Sequence, residues 1–375
     1  MWTTTEGSTG RLLQLCLGYF LFYVITGVTV KYFTGSPELG YPGMKDIEYL
    51  VYNTIGGSSI ALSVALALRW YRIKSTNYIN AGRFRIPQEI LYIIPSGVCT
   101  AVVIPTTTLM YMLPISVMVA MVIMRASVII ISRVVDAVQL RQGILARRVY
   151  AEENYAVVFA LLAAAMNILW VGPGDFDFIN STAAMIILGS YIIAYAIRIY
   201  IMNYYKNTRP KEMKLDNTGF FAIEQIAATA TMALVGLVLF RSPEWFGSVN
   251  PQLLLFNNSF TDPRPQWGWA VVAGFAYGLV AFFSVFIFMF KGRTATFAGL
   301  VNRLTSLVAG TTATLVSFLL FGGRFPKVQD WLSLVFILIA VGFLSRAEKK
   351  RTRELAQEIE SPLLGNIPAT APGKS

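Results

Sequence analysis

Long apolar segments separated by short polar connections run through most of the chain. These segments are residues 12–30, 53–70, 90–110, 114–135, 156–172, 183–203, 220–240, 267–290, 294–321 and 331–344. Most approach the roughly 20 residues that an α-helix needs to cross a bilayer. Unpaired backbone groups are costly in lipid, so segments of this kind form helices there. The pattern predicts an all-α membrane protein with ten transmembrane helices.

The connections refine this prediction. Residues 90–135 are too long for one crossing, and Pro105 and Pro114 divide them into the third and fourth helices. In the long connection before the eighth helix, the apolar run PQLLLF is expected to lie on the membrane surface. The charged run 347–360 predicts a short solvated helix, and the composition from Ser361 onward is typical of disorder.

Composition and charge narrow the class of protein. With 55% hydrophobic and 14% charged residues and a mean hydropathy of +0.57, the chain is too apolar for a soluble domain. A net charge of +11 also occurs in nucleic-acid-binding proteins, but here Lys and Arg cluster between apolar segments, as in membrane proteins. The lipid bilayer is therefore an expected partner, and nucleic acid is not.

The basic clusters also predict the orientation of the chain. They follow the second, fourth, sixth, eighth and tenth helices, while the connections after the third and fifth carry neither Lys nor Arg. Because Lys and Arg accumulate in cytoplasmic loops, both termini are expected to be cytoplasmic. The plasma membrane and an internal membrane both fit this pattern.

Several kinds of chemistry find no support. The chain has no histidine, which excludes His-ligated metals and Ser-His-Asp triads, and Cys16 and Cys99 fall within predicted helices as packing thiols. The GxGD run at 172–175 is similar to an element of intramembrane aspartyl proteases, but that chemistry needs a second aspartate. No other predicted helix carries an aspartate at membrane depth. We expect a turn there, no cofactor or metal, and no enzymatic activity.

One cation lies in the middle of a predicted crossing. Arg125 is central to the apolar run VMVAMVIMRASVIIIS of the fourth helix. An arginine at the centre of a membrane helix costs about 2.5 to 3.5 kcal/mol on insertion scales. An ion pair between helices or hydrogen bonds to backbone carbonyls could offset this cost, as could a cavity that holds a substrate. We interpret Arg125 as a substrate-binding residue.

An internal repeat relates the two halves of the chain. A shift of 178 residues carries Arg125 onto Arg303 in the ninth helix, whereas the first two helices match the sixth and seventh only after a smaller shift. Because each half has an odd number of crossings, the halves are predicted to be inverted repeats, residues 11–172 and 181–346, followed by a cytoplasmic tail at 347–375. Substrate sites in such proteins lie near the midplane between the halves. Both arginines could therefore face one cavity.

The region between the third and fourth helices carries a recognisable set of residues. Tyr111, the Leu-Pro turn at Pro114, and Arg125 with Ser127 lie within the run LMYMLPISVMVAMVIMRASVIIISRVVDAVQLRQ. With ten helices arranged as five plus five, this run resembles the drug/metabolite transporter superfamily, closest to its nucleotide-sugar-transporter and chloroquine-resistance-transporter-like branches. The resemblance spans roughly residues 12–344. It implies a secondary transporter, with antiport among the expected modes.

The predicted binding site consists of polar residues inside apolar helices. The substrate-binding candidates are Arg125, Arg303, Ser127, Asn302, Thr305, Asn53 and Tyr195. Two guanidinium groups in one cavity suit a carboxylate or a phosphate, because each offers bidentate donors and keeps its charge. Most of the uncharged candidates are expected to make packing hydrogen bonds between helices, and some to contact the solute.

Glu224 lies near the start of the seventh helix, where the resemblance places an acidic residue. An interfacial carboxylate or an ion pair with an arginine would account for it structurally. Alternatively, Glu224 is a proton-coupling residue, and the pH dependence of transport by E224Q would test that hypothesis.

These features together predict a secondary transporter that moves a small anionic organic solute by alternating access. Nucleotide sugars, phosphorylated metabolites and organic acids all fit. Two alternatives stay open: an exporter of cationic or amphipathic compounds with structural arginines, and a non-transporting membrane scaffold or receptor. Small-residue helix faces, such as the one around Gly56, Gly57 and Ala61, pack within a monomer as readily as between protomers. A monomer and a homodimer are both compatible with the sequence.

Overall fold

The computed structural model describes residues 7–73, 75, 77–81, 84–112, 117–146, 148–166, 181–209, 215–247, 250–322 and 325–364. Eleven α-helices lie within these ranges: α1 Thr9–Thr34, α2 Asp46–Ala67, α3 Ile90–Met112, α4 Val117–Arg141, α5 Ala151–Ala165, α6 Thr182–Thr208, α7 Asn217–Phe246, α8 Pro251–Thr261, α9 Trp267–Phe288, α10 Ala295–Phe321 and α11 Val328–Leu364. Eight of them, α1, α2, α3, α6, α7, α9, α10 and α11, are long and apolar enough to cross a membrane. The chain is therefore a multi-pass integral membrane protein.

Helices α4 and α5 correspond to the two remaining predicted crossings. Helix α4 has 25 residues, whereas α5 has 15, and the rest of its predicted segment, residues 167–172, lies outside the described ranges. The structure thus confirms eight of the predicted crossings, and the other two stay predictions. The expected turn at 172–175 also falls outside the described ranges.

Two short elements lie outside the predicted crossings. The predicted surface segment PQLLLF belongs to α8, whose first residue is Pro251 and whose N-cap Asn250 accepts a hydrogen bond from the backbone N–H of Gln252. An antiparallel hairpin of β1 (Tyr78–Ala81) and β2 (Phe84–Pro87) lies between α2 and α3. Four residues per strand are too few to show an alternating pattern in the sequence.

Helix α11 corrects the prediction for the last part of the chain. It runs unbroken to Leu364, so the boundary at residue 344, the separate tail helix and the disorder at 361–364 were wrong. Neither Gly nor Pro falls between Phe343 and Ser361, so the backbone has no local reason to stop. Tertiary contacts also hold the extension, since Glu348 and Arg351 are buried against other helices.

The helices pack in a small set of extended pairs. Helix α2 packs along α9, α3 along α6 and α7, α1 along α9 and α10, α4 along α6 and α10, and α5 along α11. The first apolar cluster is centred on α3, α4, α6, α7 and α9, and the second on α1, α5, α9, α10 and α11. The arginine-bearing helices α4 and α10 therefore meet in the middle of the molecule.

Side-chain contacts show which helix ends lie together. Thr9 at the start of α1 donates to Glu348 in α11, and Lys206 near the end of α6 donates to the Phe288 carbonyl that ends α9. We call this side the basic end. At the other side, called the opposite end, Lys31 in the last turn of α1 donates to Thr314 in α10. These contacts show that the start of α1 and the ends of α6 and α9 lie at the basic end, whereas the end of α1 lies at the opposite end.

Helices α2 and α9 approach closely because glycines face each other. A Cβ at Gly56 would overlap the Val271 carbonyl oxygen, and a Cβ at Gly274 would overlap the Asn53 carbonyl oxygen. Close backbone approach through small residues is the usual basis of helix packing in membranes. The small-residue face of α2 that includes Gly56 and Gly57 is therefore used within one chain.

Candidate functional site

Arg303 is a buried cation that has no counter-charge among the described residues. Its side chain, on the third turn of α10, is 9% exposed, and its Nε and Nη2 find no hydrogen-bond acceptor among the described residues. A guanidinium left in this way in a membrane interior is strongly unfavourable, since removing charge from water is repaid only by partners. Two nitrogens of this guanidinium are therefore buried without an acceptor among the described residues.

Arg125 approaches the same helix from α4. A Cβ placed at Gly310, seven residues after Arg303, would lie 3.4 Å from the Arg125 Nη2. The glycine thus leaves room for the guanidinium beside α10. Among the described residues, no carboxylate forms an ion pair with Arg125 or Arg303. Two uncompensated positive charges therefore lie along the α4–α10 contact.

Tyrosines surround the Arg303 guanidinium. The ring of Tyr195 in α6 lies under it, with 5.2 Å between the guanidinium carbon and the ring centroid. Tyr19 and Tyr23 in α1 and Tyr191 in α6 are within electrostatic reach of the same group. A cation over an aromatic face is stabilised without losing its N–H donors. The rings thus hold Arg303 in place while its charge stays unpaired.

The tyrosines form two matched pairs. A shift of 172 residues carries Tyr19 onto Tyr191 and Tyr23 onto Tyr195. The ring centroids are 5.5 Å apart in the first pair and 4.9 Å apart in the second. Sequence reasoning selected only Tyr195, and the shared YxxxY spacing was the signal that could have found the other three.

The hydroxyls of these pairs reach equivalent positions. Tyr19 donates to Asn302 Oδ1 over 3.5 Å, and Tyr191 donates to the Met124 carbonyl over 3.3 Å. Met124 and Asn302 immediately precede the two arginines and are themselves related by the 178-residue shift. Each tyrosine pair is thus anchored beside the arginine-bearing helix of the other half.

The remaining predicted site residues divide into two groups. Ser127 and Thr305 follow the arginines by two residues and donate to carbonyls of their own helices, over 2.6 and 2.7 Å. Asn302 donates to Ser284 in α9 over 3.0 Å. Asn53, by contrast, lies at the α2–α9 contact and accepts from the Tyr49 hydroxyl. None of the hydrogen bonds among the described residues joins Asn53 to either arginine.

Glu224 belongs to a buried ion pair with Arg198, a partner that the sequence analysis did not identify. Arg198 in α6 donates from Nε and Nη2 to the two carboxylate oxygens of Glu224, over 2.9 and 3.0 Å. The Ser96 hydroxyl of α3 adds a hydrogen bond of 2.6 Å. This bidentate arrangement agrees with the interpretation of Glu224 as an ion-pair partner. A proton-coupling role for Glu224 stays a hypothesis.

Polar contacts seal the basic end between the two halves of the chain. The Asp136 carboxylate at the end of α4 accepts from the backbone N–H groups of Ala295 and Thr296, over 2.8 and 2.7 Å, at the start of α10. Glu153 accepts from the hydroxyl of Thr294, the N-cap of α10, over 2.6 Å. A carboxylate is favourable at the positive end of a helix dipole. The helices that carry the two arginines are thus tied together at this end.

Residues before α5 complete the seal. Arg351 of α11 lies over the ring of Tyr150, at 4.3 Å from the centroid, and also contacts Glu153. Burial raises the pKa of Tyr150 to about 12, so its hydroxyl stays protonated at neutral pH. Arg293, which precedes α10, is fully buried and pairs with Glu348 of α11.

The arrangement supplies hydrogen-bond donors that suit an anion. No cluster of three or more possible metal ligands occurs in the part of the chain that the structure describes. Two guanidinium groups and several phenol hydroxyls supply donors, and no described carboxylate opposes them in direct contact.

Comparison with known proteins supports the fold alone. No protein-family model matches the sequence, and no curated protein matches it. One solved structure, described only as "Crystal structure of protein", superposes with a TM-score of 0.54 at 12% sequence identity. The match covers 92% of this chain and 99% of the other. The arrangement of helices is therefore shared along almost the full length.

Proposed function

We propose that this protein is a secondary transporter of the drug/metabolite transporter superfamily that moves a small anionic organic solute by alternating access. The observation that carries the proposal is the buried, unpaired guanidinium of Arg303, with Arg125 beside the same helix. A carboxylate or phosphate between the two arginines would supply the missing counter-charge. Arg125 and Arg303 would bind the anion, and the tyrosine pairs would orient Arg303.

The helix pairings support two inverted halves. In the predicted repeat, α1 corresponds to α6, α2 to α7, α3 to α9, α4 to α10 and α5 to α11. Under this correspondence, the α2–α9 contact is equivalent to α7–α3, α1–α10 to α6–α4, and α1–α9 to α6–α3. The α4–α10, α5–α11 and α2–α7 contacts map onto themselves. A pseudo-two-fold axis of this kind is the basis of alternating access in inverted-repeat transporters.

The seal at the basic end fits one of the two states of such a cycle. Asp136 and Glu153 bind the start of α10, which belongs to the other half. These bonds would break when the site opens to that side, which the positive-inside rule assigns to the cytoplasm. A substrate bound between α4 and α10 would then shift the equilibrium between the two conformations of the transport cycle.

The direct test is solute flux in proteoliposomes. Wild type, R125A, R303A and the control R133A are compared with labelled nucleotide sugars, phosphorylated sugars, organic acids and organic cations. Arg133 lies on α4 as well, but bonds to Asn154 near the surface, so its removal should leave transport intact. We expect flux of one anion class that R125A and R303A abolish and R133A retains.

Other outcomes would favour other functions. Cation flux that survives loss of both arginines would make these residues structural and indicate an exporter of cationic compounds. No flux of any solute, and no shift of the unfolding temperature by any of them, would indicate a scaffold or receptor. Circular dichroism of each variant establishes that lost flux does not arise from unfolding.

A further inference from the structure

A large apolar cleft lies apart from the arginine site. It has a volume of about 1100 Å³ and is bounded by α2, α3, α7 and α8. Its wall includes Ile55, Ala101, Ile104, Ala233, Leu237 and Phe256. Neither arginine of the candidate site lines the cleft, and no described lining residue is charged. The cleft is therefore a separate cavity that does not suit an ion.

The cleft lies within the membrane part of the protein. Three of its walls are membrane-spanning helices, and residues 47–62 of α2 that line it extend over roughly 22 Å. This length exceeds half of a hydrocarbon core of about 30 Å. Ile55 and Leu237 on the wall are 40% and 58% exposed, so the cleft opens sideways to lipid rather than only to water.

Helix α8 covers the cleft at the opposite end and is held there by hydrogen bonds to α2 and α7. The Tyr52 hydroxyl of α2 donates to the Ser259 carbonyl over 2.9 Å, and Asn257 donates to the Phe240 carbonyl of α7 over 3.3 Å. Leu253, Phe256 and Phe260 of α8 line the cleft below it. The polar start of α8 and the apolar face beneath it match the boundary between head groups and acyl chains.

The equivalent position in the other half is almost closed. The 178-residue shift carries Ala101 and Ile104 onto Leu279 and Phe282 of α9, which line a cavity of only about 130 Å³ with parts of α2 and α7. There the ring centroids of Trp70 and Phe221 lie 5.8 and 5.3 Å from that of Phe282. The open cleft is therefore a feature of one half in this conformation.

We propose that this cleft binds a membrane phospholipid whose acyl chains lie between α2, α3 and α7 beneath α8. Most of the lining is apolar, and the few hydroxyls in it, those of Thr54, Ser58, Ser59, Thr229 and Ser242, give water few partners. Lipid acyl chains are the apolar molecules that surround the protein at this depth of the membrane. Because protein interiors are closely packed, an empty cleft of this size is unfavourable. The cleft exceeds the roughly 300 to 1,000 Å³ of typical drug-sized pockets, which agrees with a two-chain lipid.

Because the two cavities differ in size, a lipid that fills the larger one favours the conformation in which that cavity is open. Where the two halves exchange conformations, as the proposed transport cycle requires, the cleft beneath α8 closes and its small counterpart opens. A lipid in the cleft then stabilises the conformation described here by mass action. Lipid binding itself does not depend on transport and can be tested without a substrate.

The test uses the full chain in nanodiscs of phosphatidylcholine carrying a diazirine on one acyl chain. After illumination, cross-linked peptides are mapped by mass spectrometry. We expect cross-links to concentrate on residues 50–62, 101–109 and 229–240. The comparison surface is the exposed face of α1, which includes Leu13 and Leu17.

Two matched variants test whether the cross-links arise from lipid inside the cleft. A233F fills the cleft and should reduce its cross-links to the level on α1, whereas A230F, on an exposed part of α7 outside the lining, should not. A101F fills the cleft from α3 and serves if A233F unfolds. Even labelling of cleft and α1 face would overturn the proposal. Loss of anion flux would not affect this result.

Discussion

Two kinds of buried arginine occur in this protein, and their partners separate them. Arg198 is neutralised by a bidentate bond to Glu224. Arg303 lies above an aromatic ring, with two nitrogens lacking acceptors among the described residues. A paired arginine stabilises helix packing, whereas an unpaired one keeps donors available for an anion. The environment of each side chain decides between these roles.

The Arg198–Glu224 pair predicts a large stability effect. E224Q leaves a buried guanidinium without its carboxylate and should destabilise the protein by about 3 to 5 kcal/mol. The control E244Q, on the same helix, breaks an exposed pair with Arg241 and should cost about 0 to 1 kcal/mol. Thermal unfolding in detergent measures both.

A second variant isolates the pair itself. Replacing both Arg198 and Glu224 by methionine removes the unpaired charge and should restore most of the lost stability. Equal unfolding temperatures for E224Q and E244Q would contradict the assignment of this buried pair. If E224Q stays folded and loses the pH dependence of transport, the proton-coupling hypothesis gains support.

At the scale of elements, the closest helix contact depends on glycines, which have no side chain. Helices α2 and α9 meet at Gly56 and Gly274, where each backbone touches the other. Hydrophobic length places both helices in the membrane, but it carries no information about their separation. The glycines set that separation, because any Cβ there would meet a carbonyl oxygen.

The α2–α9 contact predicts a position-specific effect of an added methyl group. G274A should push the two helices apart and lower the unfolding temperature, since overpacking of a close contact costs about 1 to 3 kcal/mol or more. G268A, in the first turn of α9, meets no atom within 4 Å and should be neutral or slightly stabilising. A fluorescence-based unfolding assay in detergent compares them. An unfolding temperature of G274A no lower than that of G268A would show that the gain in helix propensity outweighs any loss of packing at this contact.

At the scale of the whole molecule, polar contacts are unevenly distributed between the two ends. Asp136, Glu153, Arg293 and Glu348 connect several helices at the basic end. Near the opposite end, α8 and the open apolar cleft occupy the corresponding region. The uneven ends agree with one conformation of the transporter that we propose, with the proposed anion site between them.

The placement of Lys and Arg predicts which end faces the cytoplasm. In a variant without Cys16 and Cys99, a cysteine at Asp262 near the opposite end should react with an impermeant maleimide in intact cells. A cysteine at Arg141, exposed at the basic end, should react only after permeabilisation. The reverse result would invert the proposed orientation. For a protein of an internal membrane, sealed vesicles replace the cells.

Much of this architecture was predictable because it depends on short stretches of sequence. Segments of about 20 apolar residues predict crossings wherever they occur. The structure confirms eight of these and adds a hairpin whose strands were too short to show a pattern, and the predicted segment PQLLLF forms the first half of α8. Arg125 and Arg303 were identifiable because an arginine is conspicuous inside an apolar segment. Tyr19 and Tyr191 were missed, because tyrosine is common in membrane helices and only the repeated YxxxY spacing distinguishes these two.

The sequence by itself determined the membrane class, most of the crossings, the basic end and the two arginines. Each of these follows from local hydropathy or charge, which act over one helix at a time. Only the tertiary structure decided which arginine has a partner, how four tyrosines gather around Arg303, and that one cleft is open while its counterpart is closed. These features depend on contacts between helices distant in sequence, and apolar segments look alike until packing selects their neighbours.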